Sequence, residues 1–180
     1  MYDIDLSLLL KASNYYENLG YNSTPAPLLV DKDVINLTLP PTRHVTPHLN
    51  KYYVGSAEQS FYQLLKEGLK PVEQYMMLTP CVRDECPSSI HLGVFLKLEL
   101  LIPGNNFTTI FQDVFDFYSN ENLNPQLVNT EEGLDIYIND LEVGSFGTRN
   151  VYGQDVSYGT GIAFPRITQA INNKLDKSYE

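Results

Sequence analysis

The stretch TPCVRDECPSSIHLGVFLKLE, residues 79–99, decides the fold. Its first part belongs to a run that predicts a strand over Met76–Glu85, and its last part predicts a longer strand over Leu92–Ile102. The short loop Cys86–Ile90 between them would connect the two strands as a hairpin. Every other residue of Leu96–Ile102 is leucine or isoleucine, which predicts that one face of the second strand packs against a core.

Charged and aromatic residues occupy the other face of this hairpin. If the two strands pair, five such side chains converge: Arg83, Glu85, Phe95, Lys97 and Glu99. This face suits a nucleoside triphosphate, because an arginine grips phosphate by a fixed fork, an aromatic ring stacks on a base, and a carboxylate accepts from an exocyclic amine. An ordinary amphipathic hairpin with solvated charges shows the same alternation. Spacing alone leaves both interpretations open.

The remaining pattern predicts four helices and three further strands. The helices are Leu6–Leu19, one that begins at Ser56 and ends at Gly68, Thr109–Tyr118, and one from Pro165 to about Lys177. The strands are Leu134–Ile138 and Leu141–Gly144, joined by a turn, and Val156–Phe164. Ser56 and Gln59 fit an S-x-x-Q capping box. We expect an α+β domain with a mainly antiparallel sheet, flanked by helices and with one polar face to spare.

Length and charge restrict the function classes. The 180 residues predict one domain, with an N-terminal segment over 1–45 and a core over 46–177. With 22 acidic and 12 basic side chains the net charge is −10, which disfavours binding to a phosphate backbone without a local basic patch. No apolar run approaches about 18 residues, so we expect no membrane span. Without a basic leader, Cys81 and Cys86 are expected to be reduced thiols of a cytoplasmic protein.

Beyond its spacing, the pattern R-x-E, loop, H-x-x-x-F-x-x-x-E resembles motif 2 of the class II aminoacyl-tRNA synthetases. The residues on the matching positions are Arg83, Glu85, His91, Phe95 and Glu99. A single match of this kind has little specificity. Its weight comes from the other segments of the chain that resemble the same family.

Three such segments occur in the family's order. Gly55–Glu58 (GSAE) is similar to the loop whose glutamate holds the substrate ammonium, and Ile138–Ser145 (INDLEVGS) to the strand that supplies a carboxylate for ATP-bound magnesium and lines the amino-acid pocket. Gly159–Arg166 (GTGIAFPR) resembles motif 3, whose arginine contacts the ATP γ-phosphate. The resemblance covers roughly Val45–Leu175. It implies a minimal, stand-alone synthetase-like catalytic domain with no anticodon-binding domain.

The resemblance implies amino-acid activation, in which the substrate carboxylate attacks the α-phosphorus of ATP in line and pyrophosphate leaves. It assigns Arg83 to the α-phosphate and the attacking carboxylate, Arg166 to the γ-phosphate, and His91 to the ATP tail. Phe95 would stack on adenine, and Glu85 would accept from the adenine amine. The chain would thus be an ATP-dependent ligase, with Arg83 and Arg166 as its catalytic residues.

The same resemblance implies where magnesium and the amino acid bind. Magnesium would be held by Glu99 and Glu142, since carboxylates and phosphate oxygens suit this hard cation. The amino acid would face Glu58, Ser145 and Gly147. Glu58 has a structural alternative, because an acidic residue near the start of a helix also interacts favourably with the helix dipole.

Several residues depart from the family pattern or keep an alternative. The motif 3 segment has Ala163 and Pro165 where the family usually has a glycine and an acid. The loop Cys86–Ile90 carries no Lys or Arg, although in the family this loop commonly helps grip tRNA or the ATP tail. Phe95 could be a core aromatic, and Arg149 could face either the pocket or solvent.

The resemblance leaves the acceptor of the aminoacyl group open. It could be tRNA with a separate RNA-binding chain, a carrier protein, a protein side chain or a small molecule. Motif 1, the dimer element, is matched only loosely in Leu37–Pro47, and the family implies a homodimer. A non-catalytic module for ligand sensing or assembly is the alternative function. The presence of both Arg83 and Arg166 favours an enzyme.

Overall fold

A computed structural model describes residues 4–39, 46–84, 93–131 and 133–177, with side chains up to residue 172. The helices are α1 (Leu6–Asn18), α2 (Lys32–Ile35), α3 (Ala57–Lys66), α4 (Phe107–Asn120) and α5 (Arg166–Lys177). The strands are β1 (Asn22–Ser23), β2 (Leu29–Val30), β3 (Pro47–His48), β4 (Lys51–Tyr53), β5 (Tyr75–Val82), β6 (Val94–Pro103), β7 (Gln126–Asn129), β8 (Leu134–Ile138), β9 (Leu141–Val151) and β10 (Gln154–Phe164). Within the described residues, no helix is long and apolar enough to cross a membrane.

Seven strands form the main sheet, in the order β1-β5-β6-β10-β9-β8-β7. All neighbours are antiparallel except the short parallel pair β1 and β5. A second sheet has the order β2-β4-β3. The predicted hairpin is present, since β5 and β6 pair with Thr79 opposite Lys97 and Cys81 opposite Phe95. The predicted α+β class with a mainly antiparallel sheet is confirmed.

One face of the main sheet packs against α1, α4 and α5. Of the β6 residues predicted for this face, Leu98, Leu100 and Ile102 are buried and Leu96 is partly buried against the same core. Helices α1 and α4 contribute Tyr16 and Tyr118, and both hydroxyls donate to the carbonyl of Gly161 in β10, at 2.9 and 3.3 Å. The N-terminal helix is therefore part of the same core as the sheet.

The opposite face of the sheet is apolar at one end and polar at the other. At the apolar end, Phe61 and Tyr62 of α3 join Met77 and Leu101 in a second core cluster. The polar end begins at Glu99, which lies opposite Met77, and continues to Lys97 opposite Thr79. The expectation of a polar face to spare is thus wrong for the part of the sheet that α3 covers, because the apolar stripe of α3 needs a surface to pack on.

Helix α3 begins where predicted, but its capping box does not form. The side-chain oxygen of Gln59 accepts from the amide of Gly55 at 2.7 Å, one residue before the predicted partner Ser56. The side-chain nitrogen of Gln59 donates to Thr38 at 2.6 Å. Ser56 makes no side-chain cap hydrogen bond. Its hydroxyl is engaged by charged side chains of β6 instead.

Strands β8 and β9 form the predicted hairpin. Asn139 and Asp140 between them have φ of 49° and 65°, the left-handed conformation that a two-residue type I′ turn requires. The side-chain nitrogen of Asn139 also donates to the carbonyl of Ala170 in α5 at 2.8 Å. Strand β9 continues to Val151, beyond the predicted end at Gly144, because β10 pairs with it along that length.

Candidate active site

The hairpin of β5 and β6 brings an arginine against an aromatic ring. Arg83 directly follows β5, and its amide donates to the carbonyl of Gly93 at 2.8 Å, which continues the pairing of the two strands. The guanidinium carbon of Arg83 lies 4.9 Å from the centre of the Phe95 ring. Because a cation is attracted to an aromatic face, this contact orients both groups relative to the sheet.

Arg83 is also tied to the loop that precedes α3. Its Nε donates to the carbonyl of Gly55 at 2.8 Å. The neighbouring backbones meet as well, since the amide of Val82 donates to the carbonyl of Val54 at 2.7 Å. A Cβ atom at Gly55 would come within 3.5 Å of the Arg83 side chain. The segment predicted to hold a substrate ammonium therefore lies beside Arg83.

A buried ion pair lies further along the same face of β6. Lys97 Nζ is 2.6 Å from Glu99 Oε2, and the hydroxyl oxygen of Ser56 lies 3.2 Å from each of these atoms. The Glu99 side chain is 0% exposed and the Lys97 side chain 14% exposed. Glu99 Oε1 is buried too, and has no hydrogen-bond partner among the described residues. A carboxylate in this position needs a counter-charge, which the Lys97 ammonium supplies.

Glu58 is the second buried carboxylate of this region. It lies in the first turn of α3 at 7% exposure and accepts from the Tyr62 hydroxyl at 3.2 Å. Burial raises the pKa of Glu58, and the nearby Glu99 carboxylate raises it further, whereas Arg149 and Lys97 act in the opposite direction. Two carboxylates and two cations therefore share one pocket, which we call the charge cluster: Glu58, Lys97, Glu99 and Arg149.

Arg149 faces this cluster, which settles the choice between pocket and solvent. Its guanidinium carbon lies 5.5 Å from the centre of the Tyr158 ring, and Nη1 donates to the carbonyl of Leu37 at 3.2 Å. Burial lowers the pKa of Arg149, but the Glu58 carboxylate and neighbouring tyrosines outweigh it, so that the net shift is upward. Because Tyr158 packs in the cluster that includes Tyr62 of α3, the guanidinium over its ring places Arg149 on the face of the sheet that α3 covers.

The residues predicted to face the amino acid share the Arg149 side of β9. Ser145 and Gly147 precede Arg149 at a spacing of two residues, and alternate residues of a strand lie on one face. Gly147 pairs with Tyr158 in β10, and Ser145 pairs with Asp135 in β8. Gly147 is buried and Ser145 is half-buried. Strand β9 thus forms one wall of the pocket that contains the charge cluster.

A second ion pair joins the start of α5 to β9. Helix α5 begins at Arg166, and the amide of Gln169 donates to the carbonyl of Pro165 at 3.0 Å, so Pro165 precedes the helix and is not its first residue as predicted. Arg166 Nη1 lies 3.0 Å from Glu142 Oε1, with the two side chains 26% and 39% exposed. The residues predicted for the γ-phosphate and for magnesium are partners here, and both stay partly accessible.

The glycines that precede Arg166 serve packing on the helix-covered face. A Cβ atom at Gly159 would overlap the Phe146 ring, and one at Gly161 would lie 2.7 Å from Leu98. Gly161 lies at an irregularity in the pairing of β10 with β6. The glycines resembling motif 3 therefore allow the sheet and helices to approach closely, opposite the charge cluster.

Two predicted site residues, Glu85 and His91, lie outside the described residues, and their roles stay predictions. Two other residues gain a place in the site that their sequence patterns do not specify. The alternation along β6 predicts that Lys97 lies on the polar face but assigns it no partner. The capping pattern predicts only that Ser56 caps the helix. Their contact arises only when α3 packs against β6, which no local pattern encodes.

The two carboxylates predicted to hold magnesium differ in their fit to it. Glu99 does not fit, because the Lys97 ammonium already neutralises Oε2 and the second oxygen, Oε1, is buried where a hydrated ion would have to lose its water. Glu142 fits, since its carboxylate is partly exposed and magnesium needs only one or two carboxylates besides phosphate oxygens and water. Among the described residues, no three His, Cys, Asp or Glu side chains gather as a metal site.

The arrangement of sheet and helices matches solved synthetase structures. Two structures of pyrrolysyl-tRNA synthetase from Desulfitobacterium hafniense align with 88% and 86% of this chain, at TM-scores of 0.68 and 0.67 and 17% identity. Seryl-tRNA synthetase from Pyrococcus horikoshii, complexed with ATP, aligns with 93% of this chain, at a TM-score of 0.76 and 15% identity. No family model and no curated protein matches the sequence.

These similarities establish the fold. The chain has the fold of these synthetase structures, which is the fold that the order of its motifs predicts. It spans 65% of the pyrrolysyl-tRNA synthetase chains and 49% of the seryl-tRNA synthetase chain.

Proposed function

We propose that this chain binds ATP and an amino acid and joins them as an aminoacyl adenylate, with release of pyrophosphate. The observation that carries the proposal is the Arg83 guanidinium over the Phe95 ring, next to the loop that leads to the buried Glu58. A solved protein of this fold, seryl-tRNA synthetase, is complexed with ATP, which supports nucleotide binding. Arginine, aromatic ring and carboxylate are the groups that this chemistry requires.

ATP would lie along the polar end of the hairpin. Adenine stacks on Phe95, and Arg83 binds the α-phosphate together with the attacking carboxylate. The Gly55 carbonyl holds the Arg83 side chain in advance, so little reorganisation is needed when charge develops. Arg166 binds the γ-phosphate by exchanging its contact with Glu142 for a contact with phosphate.

The reaction needs positioning and charge neutralisation more than covalent participation by the protein. An oxygen of the substrate carboxylate forms a bond to the α-phosphorus while the bond from that phosphorus to the bridging oxygen breaks. Pyrophosphate leaves with the electron pair. Magnesium that enters with ATP supplies further neutralisation of phosphate charge, and Glu142 is the described carboxylate open to it. From sequence alone, Glu85 accepts from the adenine amine and His91 contacts the ATP tail.

The amino acid would bind in the pocket of the charge cluster. Glu58 accepts a hydrogen bond from the substrate ammonium. The positive charge of the ammonium stabilises the ionised form of Glu58, which burial disfavours. Ser145 and Gly147 face the substrate from β9, and Arg149 forms the far side of the pocket. The ammonium contact fixes the carboxylate of the substrate toward Arg83.

The acceptor and the assembly are proposed from the resemblance and the charge. A homodimer is the assembly that the family implies, and the cytoplasm is the compartment that the cysteine usage favours. The net charge of −10 makes direct tRNA binding the weaker option, so the preferred acceptor is tRNA held by a separate RNA-binding chain, a carrier protein, a protein side chain or a small molecule.

Two measurements on the purified chain test the proposal. Calorimetric titration with ATP and magnesium should show saturable binding. Hydroxylamine, which captures an aminoacyl adenylate as a hydroxamate, should yield product with one or a few amino acids. Arg83→Ala should keep the circular dichroism spectrum of the fold and lose the product. ATP binding without hydroxamate from any amino acid would point to the non-catalytic alternative, and the absence of both would overturn the proposal.

A further inference from the structure

We propose that the Lys97 ammonium is the permanent counter-cation of Glu99 and prevents a divalent metal ion from binding to that carboxylate. The inference deepens the proposed function and rests on it, since it concerns how many cations an ATP site on this face holds. The ion pair of Lys97 and Glu99 forms without any nucleotide. The inference can therefore be tested by metal binding, without measuring enzymatic activity.

The contact between the two side chains is close and shielded. Lys97 Nζ lies 2.6 Å from Glu99 Oε2, the length of a strong charge-assisted hydrogen bond. The Ser56 hydroxyl lies 3.2 Å from both atoms and bridges the pair to the start of α3. With 14% and 0% of the two side chains exposed, water competes little for either charge.

The charges around the pair explain why an internal cation is needed there. Glu58 lies near Glu99, and burial together with the Glu99 carboxylate raises the pKa of Glu58. Two carboxylates at one place attract a divalent cation. Lys97 and Arg149 bring two positive charges to the same place, so the cluster is already neutral.

Replacing the ammonium by magnesium would be unfavourable on two counts. Magnesium loses its water reluctantly, and an oxygen with no exposed surface demands that loss. The displaced ammonium of Lys97 would stay in a largely buried position without its partner, which destabilises a protein strongly. Lys97 is thus a positioning residue. It holds Glu99 and Ser56, and through Ser56 the helix that carries Glu58.

Manganese binding measured by electron paramagnetic resonance tests the inference, since free Mn²⁺ gives the signal and bound Mn²⁺ does not. Without nucleotide, the wild-type chain and Lys97→Gln/Glu99→Gln should bind equal amounts of Mn²⁺. Lys97→Met removes the ammonium and leaves Glu99 next to Glu58, so it should bind one additional Mn²⁺ per chain. Lys97→Met/Glu99→Gln should lose that additional site, and Lys97→Arg should not gain it.

The double glutamine variant keeps the comparison decisive if Lys97→Met does not fold, because two amides can pair without leaving a buried charge. One more Mn²⁺ on the wild type than on the double variant would overturn the inference, since Glu99 would then bind metal despite Lys97. A folded Lys97→Met with no additional site would overturn it as well. A parallel titration with ATP tests nucleotide binding, so failure of the proposed function is distinguished from failure of the inference.

Discussion

Glu58 is a buried acidic side chain, and its pKa lies above that of an exposed glutamate. Burial, together with Glu99, raises its pKa above the ordinary value of 4.5. The folded chain therefore keeps this proton to a higher pH than the unfolded chain does. Its contribution to the free energy of unfolding is fully present below pH 4.5 and is lost as the pH rises through the folded-state pKa.

Replacement of this carboxylate by an amide should flatten the pH dependence of stability. From pH 4.5 to about pH 7, the unfolding free energy of Glu58→Gln should fall less than that of the wild type, as measured by urea denaturation. Tyr62→Phe removes a hydrogen bond that favours the charged form, so its curve should fall more steeply. Parallel curves for wild type and Glu58→Gln would contradict the assignment.

The rate of adenylate formation should depend on the geometry of the Arg83 side chain as well as on its charge. Arg83→Ala removes the phosphate fork, and the rate of hydroxamate formation should fall by about 100-fold or more. Arg83→Lys keeps the charge without the fork, and should stay roughly tenfold or more below the wild type. Lys11→Ala is the matched control, because Lys11 is an exposed residue of α1, which packs on the opposite face of the sheet, and its loss should leave the rate unchanged. Equal rates for Arg83→Lys and wild type would argue against bidentate binding.

At the residue scale, the predictable part of the site is the part that lies within one hairpin. Strict alternation along the two strands is enough to place Arg83, Phe95 and Glu99 on one face. The role of Lys97 is not predictable in this way, because it depends on Ser56, which comes from a distant helix. The S-x-x-Q pattern predicts a helix-capping hydrogen bond for Ser56, and the structure does not contain that bond.

At the element scale, helices α1 and α4 bond to β10 at the point where that strand departs from regular pairing. Gly161 lies at an irregularity of the register, and its carbonyl accepts from Tyr16 of α1 and Tyr118 of α4. Both tyrosines are 0% exposed. Two helices are thereby attached to the strand that leads into Arg166, so this contact links the core to the predicted γ-phosphate site.

Removal of these hydroxyls should destabilise the chain more than additively. Tyr16→Phe should lower the unfolding free energy by about 1 kcal/mol, the usual net value of one hydrogen bond. The double variant with Tyr118→Phe should lose more than the sum of the single losses, because the buried Gly161 carbonyl then has neither donor. Urea denaturation of all four proteins gives the coupling. Strict additivity would show that the two tyrosines act independently.

Among the elements, the long periodic ones are predictable and the short ones are not. The alternation of β6 and the stripe of α4 extend over enough residues to show their period. Strands β1 to β4 have two or three residues each, too few for a period. They exist through distant pairing, such as Asn22 with Tyr75 and Leu29 with Tyr53. The end of β9 is set in the same way, by its partner β10.

At the scale of the whole molecule, charge is distributed unevenly. Four of the 12 basic residues belong to the candidate site: Arg83, Lys97, Arg149 and Arg166. Outside these four residues and the acids Glu58, Glu99 and Glu142, the chain has 8 basic and 19 acidic residues. The basic residues of the site suit the phosphates of ATP, whereas the acidic remainder of the chain repels an extended polyanion.

Direct binding to tRNA should therefore be very weak. In a gel-shift assay at roughly 50 mM salt, where electrostatic attraction is strongest, we expect no shift of unfractionated tRNA by micromolar protein. A tRNA synthetase that binds its tRNA serves as the positive control. A shift that weakens steeply with added salt would show a basic contact surface, and would make tRNA the preferred acceptor.

Amino-acid-dependent exchange of labelled pyrophosphate into ATP tests the central claim most directly, because it requires adenylate formation and no acceptor. The purified chain, with ATP and magnesium, should exchange pyrophosphate with one or a few amino acids, and Arg166→Ala should reduce that exchange while keeping the fold. Exchange with no amino acid, from a folded wild-type chain that also fails to bind ATP, would contradict the account.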